Sequence, residues 1–192
     1  DLPARALRAG RRGRDRASGR LLRGNRRRAK PRDPNGRHRW PVERTNGWLR
    51  NWLGLEAVSY IIYDDPAWFE EMVATLADCT LGVLETALGL MAGVQFDGCG
   101  MWEDMAYRGG PLLSPSHFKK YLSPHYRRIT DLLHKYNVDV VWLDCDGRID
   151  DLIPLWLEAG VNCMFPVEVG VWGADPLKFR QAYGRDLLMM GG

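Results

Sequence analysis

Apolar residues follow a helical spacing in some parts of the chain and form short continuous runs in others. A stripe of apolar positions about six turns long follows Asp64-Asp65-Pro66 and ends at Gly89. Asp is a good N-cap and Pro is tolerated in a first helical turn, so the stripe predicts a long amphipathic helix. Ser114-Pro115 opens a second helix in the same way, and Pro124 is expected to kink or split it.

Short apolar runs alternate with the helices and predict four strands: Val94–Phe96, Val138–Leu143, Asn162–Val167 and Leu187–Met190. Two more helices are predicted between them, over Ile149–Ala159 and from Asp175-Pro176 to Tyr183. The alternation of helices and strands predicts parallel strands joined by helical crossovers. Because eight strands close a barrel and four do not, we predict an α/β fold, a partial (β/α)8 TIM barrel of about four βα units. A doubly wound open sheet is the alternative, although its GxGxxG fingerprint is absent.

Charge divides the chain into two parts. Residues 1–46 hold fifteen Arg and one Lys against four acids, whereas residues 47–192 hold eleven basic and twenty acidic side chains, and the net charge is +3. The first part has no apolar period, and such a composition does not offset its ordering entropy. We therefore predict a low-complexity Arg-rich segment, disordered or mistranslated, before the partial barrel. A basic nucleic-acid arm is the alternative, but Trp40 is its only aromatic residue, so no nucleic-acid partner is expected.

Composition also bears on the location of the protein. No run of about 18 uninterrupted apolar residues occurs and no apolar signal segment opens the sequence, so neither a membrane span nor secretion is expected. Cys79, Cys99, Cys145 and Cys163 form no CxxC pair and match no zinc-ribbon spacing. They are expected to be reduced, mostly buried thiols of a cytoplasmic protein.

Acidic residues follow three of the four predicted strands: Asp97, Asp144 with Asp146, and Glu168. Because the carboxyl ends of barrel strands carry the active site, these residues are expected to share one rim. Asp144 and Asp146 would act in catalysis or hold a divalent metal, while Asp97 and Glu168 would bind substrate. The rim could equally bind a cationic substrate, or keep one proton if its acids are crowded. Asp146 could instead be the N-cap of the next helix.

The loop after the first predicted strand combines aromatic and acidic residues. Trp102, Glu103, Asp104 and Tyr107 fall within six positions, and long βα loops of this kind usually line a ligand. We expect Glu103 and Tyr107 to contribute to catalysis, and Trp102 and Asp104 to contact substrate. The alternative is a loop whose two aromatic rings only cap the barrel mouth.

Five segments carry a family pattern, and they begin at Gly47 (GWLRNWLGLE), Tyr63 (YDDP), Trp102 (WEDMAY), Leu113 (LSP) and Leu152 (LIPLWLEAGVN). On these segments the chain resembles the uroporphyrinogen decarboxylase superfamily, as an uncharacterised branch related to its corrinoid-linked methyltransferases. The resemblance implies a (β/α)8 barrel. It also implies either decarboxylation of acetate side chains on a tetrapyrrole, or methyl transfer involving a corrinoid and a thiol.

The resemblance has consequences for individual residues. The methyltransferases use a His-x-Cys zinc pair at the end of a central strand, where this chain has Asp144-Cys145-Asp146, so a thiolate zinc site is doubtful. Cys145 should face away from its Asp neighbours, because side chains alternate along a strand. Glu103 corresponds to a decarboxylase Glu that contacts the tetrapyrrole, but no Ser follows it here.

The main hypothesis is therefore a uroporphyrinogen decarboxylase-like lyase that acts on a tetrapyrrole or corrinoid-related small molecule. It would need no cofactor for decarboxylation, or would use a divalent metal. The alternatives are a corrinoid-dependent methyltransferase-like protein, a non-catalytic ligand-binding protein and an inactive truncated fragment. Half a barrel has two open sheet edges, so pairing into a homodimer is also considered.

Overall fold

A computed structural model describes the backbone of residues 38–42 and all atoms of residues 46–191. The strands are β1 (His38–Val42), β2 (Phe96–Trp102), β3 (Ala106–Tyr107), β4 (Gly110–Pro111), β5 (Val140–Asp144), β6 (Cys163–Phe165) and β7 (Leu188–Met189). Five of them form one parallel sheet in the order β1-β2-β5-β6-β7, and β3 and β4 form a small antiparallel hairpin.

Helices fill the connections between the strands of the main sheet. They are α1 (Asn46–Leu53), α2 (Leu55–Asp64), α3 (Pro66–Leu90), α4 (Pro115–His117), α5 (Ser123–Lys135), α6 (Ile153–Glu158), α7 (Val169–Trp172) and α8 (Pro176–Tyr183). A π-helical turn, Phe118–Leu122, joins α4 to α5.

Strand order identifies the architecture. Apart from the hairpin, each strand lies beside the one that precedes it in the chain, whereas a doubly wound sheet reverses its order at a switch point. Sequential parallel strands with helical crossovers are the arrangement of a (β/α)8 barrel. The four crossovers among the described residues make about half of one, which confirms the predicted fold class.

The two helices that the sequence predicts to start at an Asp-Pro pair, α3 and α8, begin where they are predicted. The Asp65 carboxylate accepts the Trp68 N–H at 3.0 Å before α3, and Asp175 accepts the Leu177 N–H at 2.9 Å before α8. Each cap satisfies one of the backbone donors that a helix leaves unpaired at its first turn. Local sequence therefore determines where these two helices begin.

Prolines account for two irregularities in the helices. α5 begins at Ser123 after the π-helical turn, because Pro124 has no N–H to continue the hydrogen-bond ladder; the predicted split is confirmed. The helix predicted from Ile149 begins only at Ile153, with Pro154 in its first turn. Pro is favoured at a helix start, which explains why the helix is shorter than its apolar pattern suggests.

The core lies between the sheet and the helices. In β5, Val141 and Leu143 are fully buried while the alternate residues are only half-buried. α3 contributes buried residues at helical spacing, among them Phe69, whose ring meets the Tyr121 ring edge-on at 5.4 Å. The sheet thus packs one face against the helices.

α3 is also the one helix of the described region that is long and apolar enough to cross a membrane by length and composition. It has 25 residues, and its most apolar window has a mean hydropathy of 1.4 and is 22% buried. Its buried residues Phe69, Val73 and Leu84 belong to the core, so the helix has a structural use without a membrane. The cytoplasmic location stays a prediction.

β1 differs from expectation, because it lies inside the segment predicted to be of low complexity. It pairs in parallel with β2 over five residues. A five-residue strand that contains Pro41 has too short a pattern to be recognised from sequence. The rest of residues 1–45 falls outside the described residues, so the predictions for that segment stay predictions.

Candidate active site

The carboxyl ends of β2, β5 and β6 lie next to one another at the same end of the parallel sheet. Trp102 pairs with Asp144, and Asp144 pairs with Phe165, in the registers of these strands. Hydrogen bonds continue past the strand ends: the Glu103 N–H donates to the Asp144 carbonyl at 3.0 Å, and the Cys145 N–H donates to the Phe165 carbonyl at 2.8 Å. The residues that follow the three strands are therefore held close together.

The loops beyond these strand ends are bonded to one another. The Gly147 N–H donates to Glu168 Oε2 at 2.7 Å, and the Arg148 N–H donates to the Tyr107 carbonyl at 3.0 Å. Gly147 has a φ of +95°, and a Cβ there would lie 2.7 Å from the Tyr107 backbone, so only glycine fits. We call the resulting surface the acidic mouth and define it by three carboxylates: Asp104, Asp146 and Glu168. Asp144 is the last residue of β5, next to this surface, and its expected role stays a prediction.

Asp146 differs from its neighbours in the acidic mouth. Loss of solvent around its carboxyl raises its pKa, and the negative charges of Glu168 and Asp104 raise it further. Glu168 accepts the Gly147 N–H and Asp104 pairs with Arg50 at 3.2 Å. The Asp146 side chain has no hydrogen-bond partner within the described region. The catalytic role expected for Asp146 stays a prediction.

Glu103 does not lie on the open surface of the site. Its side chain is fully buried, and Oε2 accepts the Gly47 N–H at 2.8 Å in the first turn of α1. A carboxylate at this end of a helix is stabilised by the backbone donors and the helix dipole. This contact gives Glu103 a structural role in holding α1. Its expected contribution to catalysis stays a prediction.

Asp104, the next residue, also binds α1, through Arg50. Its φ is +42°, in the left-handed region, and its carbonyl and carboxylate both accept hydrogen bonds from Arg50. We call the two contacts, Glu103 with Gly47 and Asp104 with Arg50, the α1 clamp. The sequence analysis did not identify Gly47 and Arg50 as site residues. The position of Arg50, a charged residue within the apolar segment GWLRNWLGLE, was a sign that it has a specific partner.

Trp102 and Tyr107 lie in the connection that follows β2. Both side chains are about half-exposed, at 50% and 54%. The backbone of Tyr107 pairs with Gly110 in the β3–β4 hairpin, so the aromatic loop is a folded unit. The contact of Trp102 with substrate and the catalytic role of Tyr107 stay predictions.

Asp97 does not join the acidic mouth. β2 runs from Phe96 to Trp102, so Asp97 lies near its amino end, about 16 Å from its carboxyl end at the usual rise per residue. The predicted strand ended too early because Gly98 and Gly100 resemble a turn. In the fold these glycines make room for the Trp142 ring, which lies 2.2 Å from where a Gly100 Cβ would be.

Cys145 does not fit a thiolate zinc site. It is 1% exposed, its sulfur accepts the Met105 N–H at 3.2 Å, and burial raises the pKa of the thiol to about 12. Metal-bound cysteine is a thiolate, which this environment disfavours. Across the part of the chain that the structure describes, no group of three or more His, Cys, Asp or Glu side chains could hold a metal ion. A divalent metal on Asp144 and Asp146 stays a prediction.

Neither a protein-family model nor a curated protein matches the chain. A solved structure, the methyltransferase from Methanosarcina mazei, is similar to it with a TM-score of 0.63 and 13% sequence identity. The match covers 82% of this chain and 43% of the methyltransferase, so the chain spans about two fifths of its length. At this identity the likeness shows the fold, and it agrees with the strand order in giving a partial (β/α)8 barrel.

Proposed function

We propose that the chain carries part of the active site of a (β/α)8-barrel methyltransferase, with the acidic mouth as the place of reaction. The observation that carries the proposal is the likeness of the fold to a methyltransferase over 82% of the chain. The acidic mouth occupies the carboxyl ends of the strands, where barrel enzymes have their active sites. The family resemblance adds that the methyl donor would be a corrinoid and the acceptor a thiol.

The position of Glu103 favours methyl transfer over decarboxylation. In the decarboxylase pattern the corresponding Glu contacts the tetrapyrrole. Here the carboxylate is fully buried and accepts the Gly47 N–H at 2.8 Å, so such a contact would require α1 to move away. The comparisons with known proteins likewise give no support for a lyase.

In the proposed reaction Asp146 is the general base. A bond forms between the sulfur of the acceptor thiol and the methyl carbon, the bond from that carbon to the donor breaks, and the thiol proton passes to Asp146. A raised pKa makes Asp146 a stronger base than an ordinary Asp, and the nearby Glu168 and Asp104 favour its protonated form. The Gly147 N–H would hold Glu168 in place throughout.

The test uses the full chain with methylcobalamin and a small thiol, and it follows the loss of the methylcobalamin absorbance. Asp146→Asn should lower the rate about 10²- to 10⁴-fold, the usual contribution of general acid–base catalysis. Asp139→Asn is the matched control, because Asp139 is exposed and precedes the amino end of β5. Melting curves should show that both variants fold.

One result would count against the function and another against the role of Asp146. The first is a wild-type chain that transfers no methyl group above the rate of the uncatalysed mixture. The second is an Asp146→Asn variant that is as active as Asp139→Asn, which would remove Asp146 as the base while leaving methyl transfer itself in place.

A further inference from the structure

A cavity of about 160 Å³ lies beside the α1 clamp, between α1, α2 and the segment that leads into α4. Val58 and Ile62 give it an apolar wall, and both are buried. Asn46, Arg50 and His117 contribute polar groups to the same cavity. An apolar wall with a few polar groups is the usual composition of a small-molecule site.

Two of these polar residues have unused hydrogen-bonding capacity. Asn46 is 7% exposed, and its side-chain oxygen has no hydrogen-bond partner within the described region. Buried amide oxygens are nearly always paired, so this acceptor calls for a donor that the described residues do not provide. Arg50 directs one N–H from each terminal nitrogen to Asp104, and a guanidinium has five N–H donors in all.

The charge in the cavity limits the kind of ligand. Asp104 lines the cavity and pairs with Arg50 at 3.2 Å, so the two charges offset one another. An anion would meet the Asp104 carboxylate, and a cation would meet the Arg50 guanidinium. An uncharged group that offers both a donor and an acceptor avoids either repulsion.

The size of the cavity sets the size of the ligand. An apolar cavity of about 150 Å³ in another protein accommodates a benzene molecule, so one six-membered ring fits here. We propose that this cavity binds one uncharged planar ring that carries an adjacent N–H donor and C=O acceptor, as in a lactam or cyclic amide. The N–H would donate to Asn46 and the C=O would accept from Arg50. This inference does not depend on the proposed methyl transfer.

The test is an NMR titration of the whole chain with 2-pyridone, a ring of this class, at concentrations up to about 20 mM. For so small a ligand we expect a Kd on the order of 1 mM. Toluene has no polar edge and should bind about tenfold more weakly, because both hydrogen bonds are lost. Benzoate should also bind more weakly because of its charge. Asn46→Leu should weaken 2-pyridone binding about three- to tenfold and leave toluene unaffected.

Ser59 provides the test of location. It lines the cavity, is exposed, and uses its hydroxyl only on the Leu55 carbonyl of its own helix. Ser59→Trp should fill the cavity and abolish binding, whereas Ser59→Ala should bind normally. The proposal is overturned if 2-pyridone does not bind to the wild-type chain, if binding survives Ser59→Trp in a folded protein, or if Asn46→Leu binds as well as wild type.

Discussion

Substitution of Gly147 by alanine tests whether the loops of the acidic mouth are packed as closely as the structure indicates. Gly147 has a φ of +95°, and a Cβ there would lie 2.7 Å from both the N and the Cα of Tyr107. The left-handed backbone costs an alanine about 1–2 kcal/mol. Displacing a packed neighbour costs about 1–3 kcal/mol more. Gly147→Ala should therefore lower the free energy of unfolding by about 3 kcal/mol.

Gly173→Ala separates the two contributions. Gly173 has a φ of +73°, and among the described residues no atom beyond its own and its two chain neighbours' lies within 4 Å of the position of its Cβ. This variant therefore incurs only the backbone cost of about 1–2 kcal/mol. Urea denaturation followed by tryptophan fluorescence gives both free energies of unfolding by linear extrapolation. Equal losses in the two variants would show that Tyr107 does not pack against Gly147, and the close approach of the two loops would then be wrong.

Three further predictions concern single side chains. Glu103→Ala should lower the free energy of unfolding by about 3 kcal/mol, because the Gly47 N–H loses a charged acceptor. Glu103→Gln keeps an acceptor and should lower it by about 1 kcal/mol. Equal losses for the two variants in urea denaturation would contradict the α1 clamp. The pKa of Cys145 is raised to about 12 in the folded protein. The buried neutral thiol therefore contributes its full stability at pH values below the ordinary pKa of a thiol, and this contribution is lost as the pH rises towards 12. The unfolding free energy should fall by about 1.4 kcal/mol per pH unit more steeply in wild type than in Cys145→Ala over that range, and parallel curves would refute this. The pKa of Asp146 is raised in the folded protein, which means that its ionised form opposes folding. Asp146→Asn should therefore be more stable than wild type at pH 7, and the difference should vanish at pH values below the ordinary pKa of an Asp. A variant that is less stable than wild type at pH 7 would contradict this prediction.

Local signals in the sequence were sufficient for the helices that begin with an acid and a proline. Asp65 and Asp175 cap helices with atoms only two or three residues away, so the whole interaction is contained in a short segment. The continuous apolar run that became β5 also predicted a buried strand. Val141 and Leu143 are fully buried, while the alternate residues are half-buried. Such features do not depend on where the rest of the chain goes.

Features that depend on distant residues were missed. Gly98 and Gly100 belong to β2 because the Trp142 ring, more than forty positions later in the chain, occupies the space above them. The Gly47–Glu103 contact joins residues 56 positions apart. No periodicity within one segment reports such a pairing, so Asp97 was placed at the wrong end of its strand and the contact of Glu103 with α1 was not predicted.

The same contacts show why Asp146 is the most informative acid in this protein. Glu103 and Asp104 hold α1, and Glu168 accepts the Gly147 N–H between two loops, so substitution of any of them disturbs the fold as well as any chemistry. Asp146 has no such bond among the residues that the structure describes, and it lies where two other carboxylates raise its pKa. An acid whose ionised form opposes folding is a residue whose stability and activity can trade off against one another. Gain of stability together with loss of activity in Asp146→Asn would therefore identify a reacting group, because a purely structural acid would lose stability when substituted.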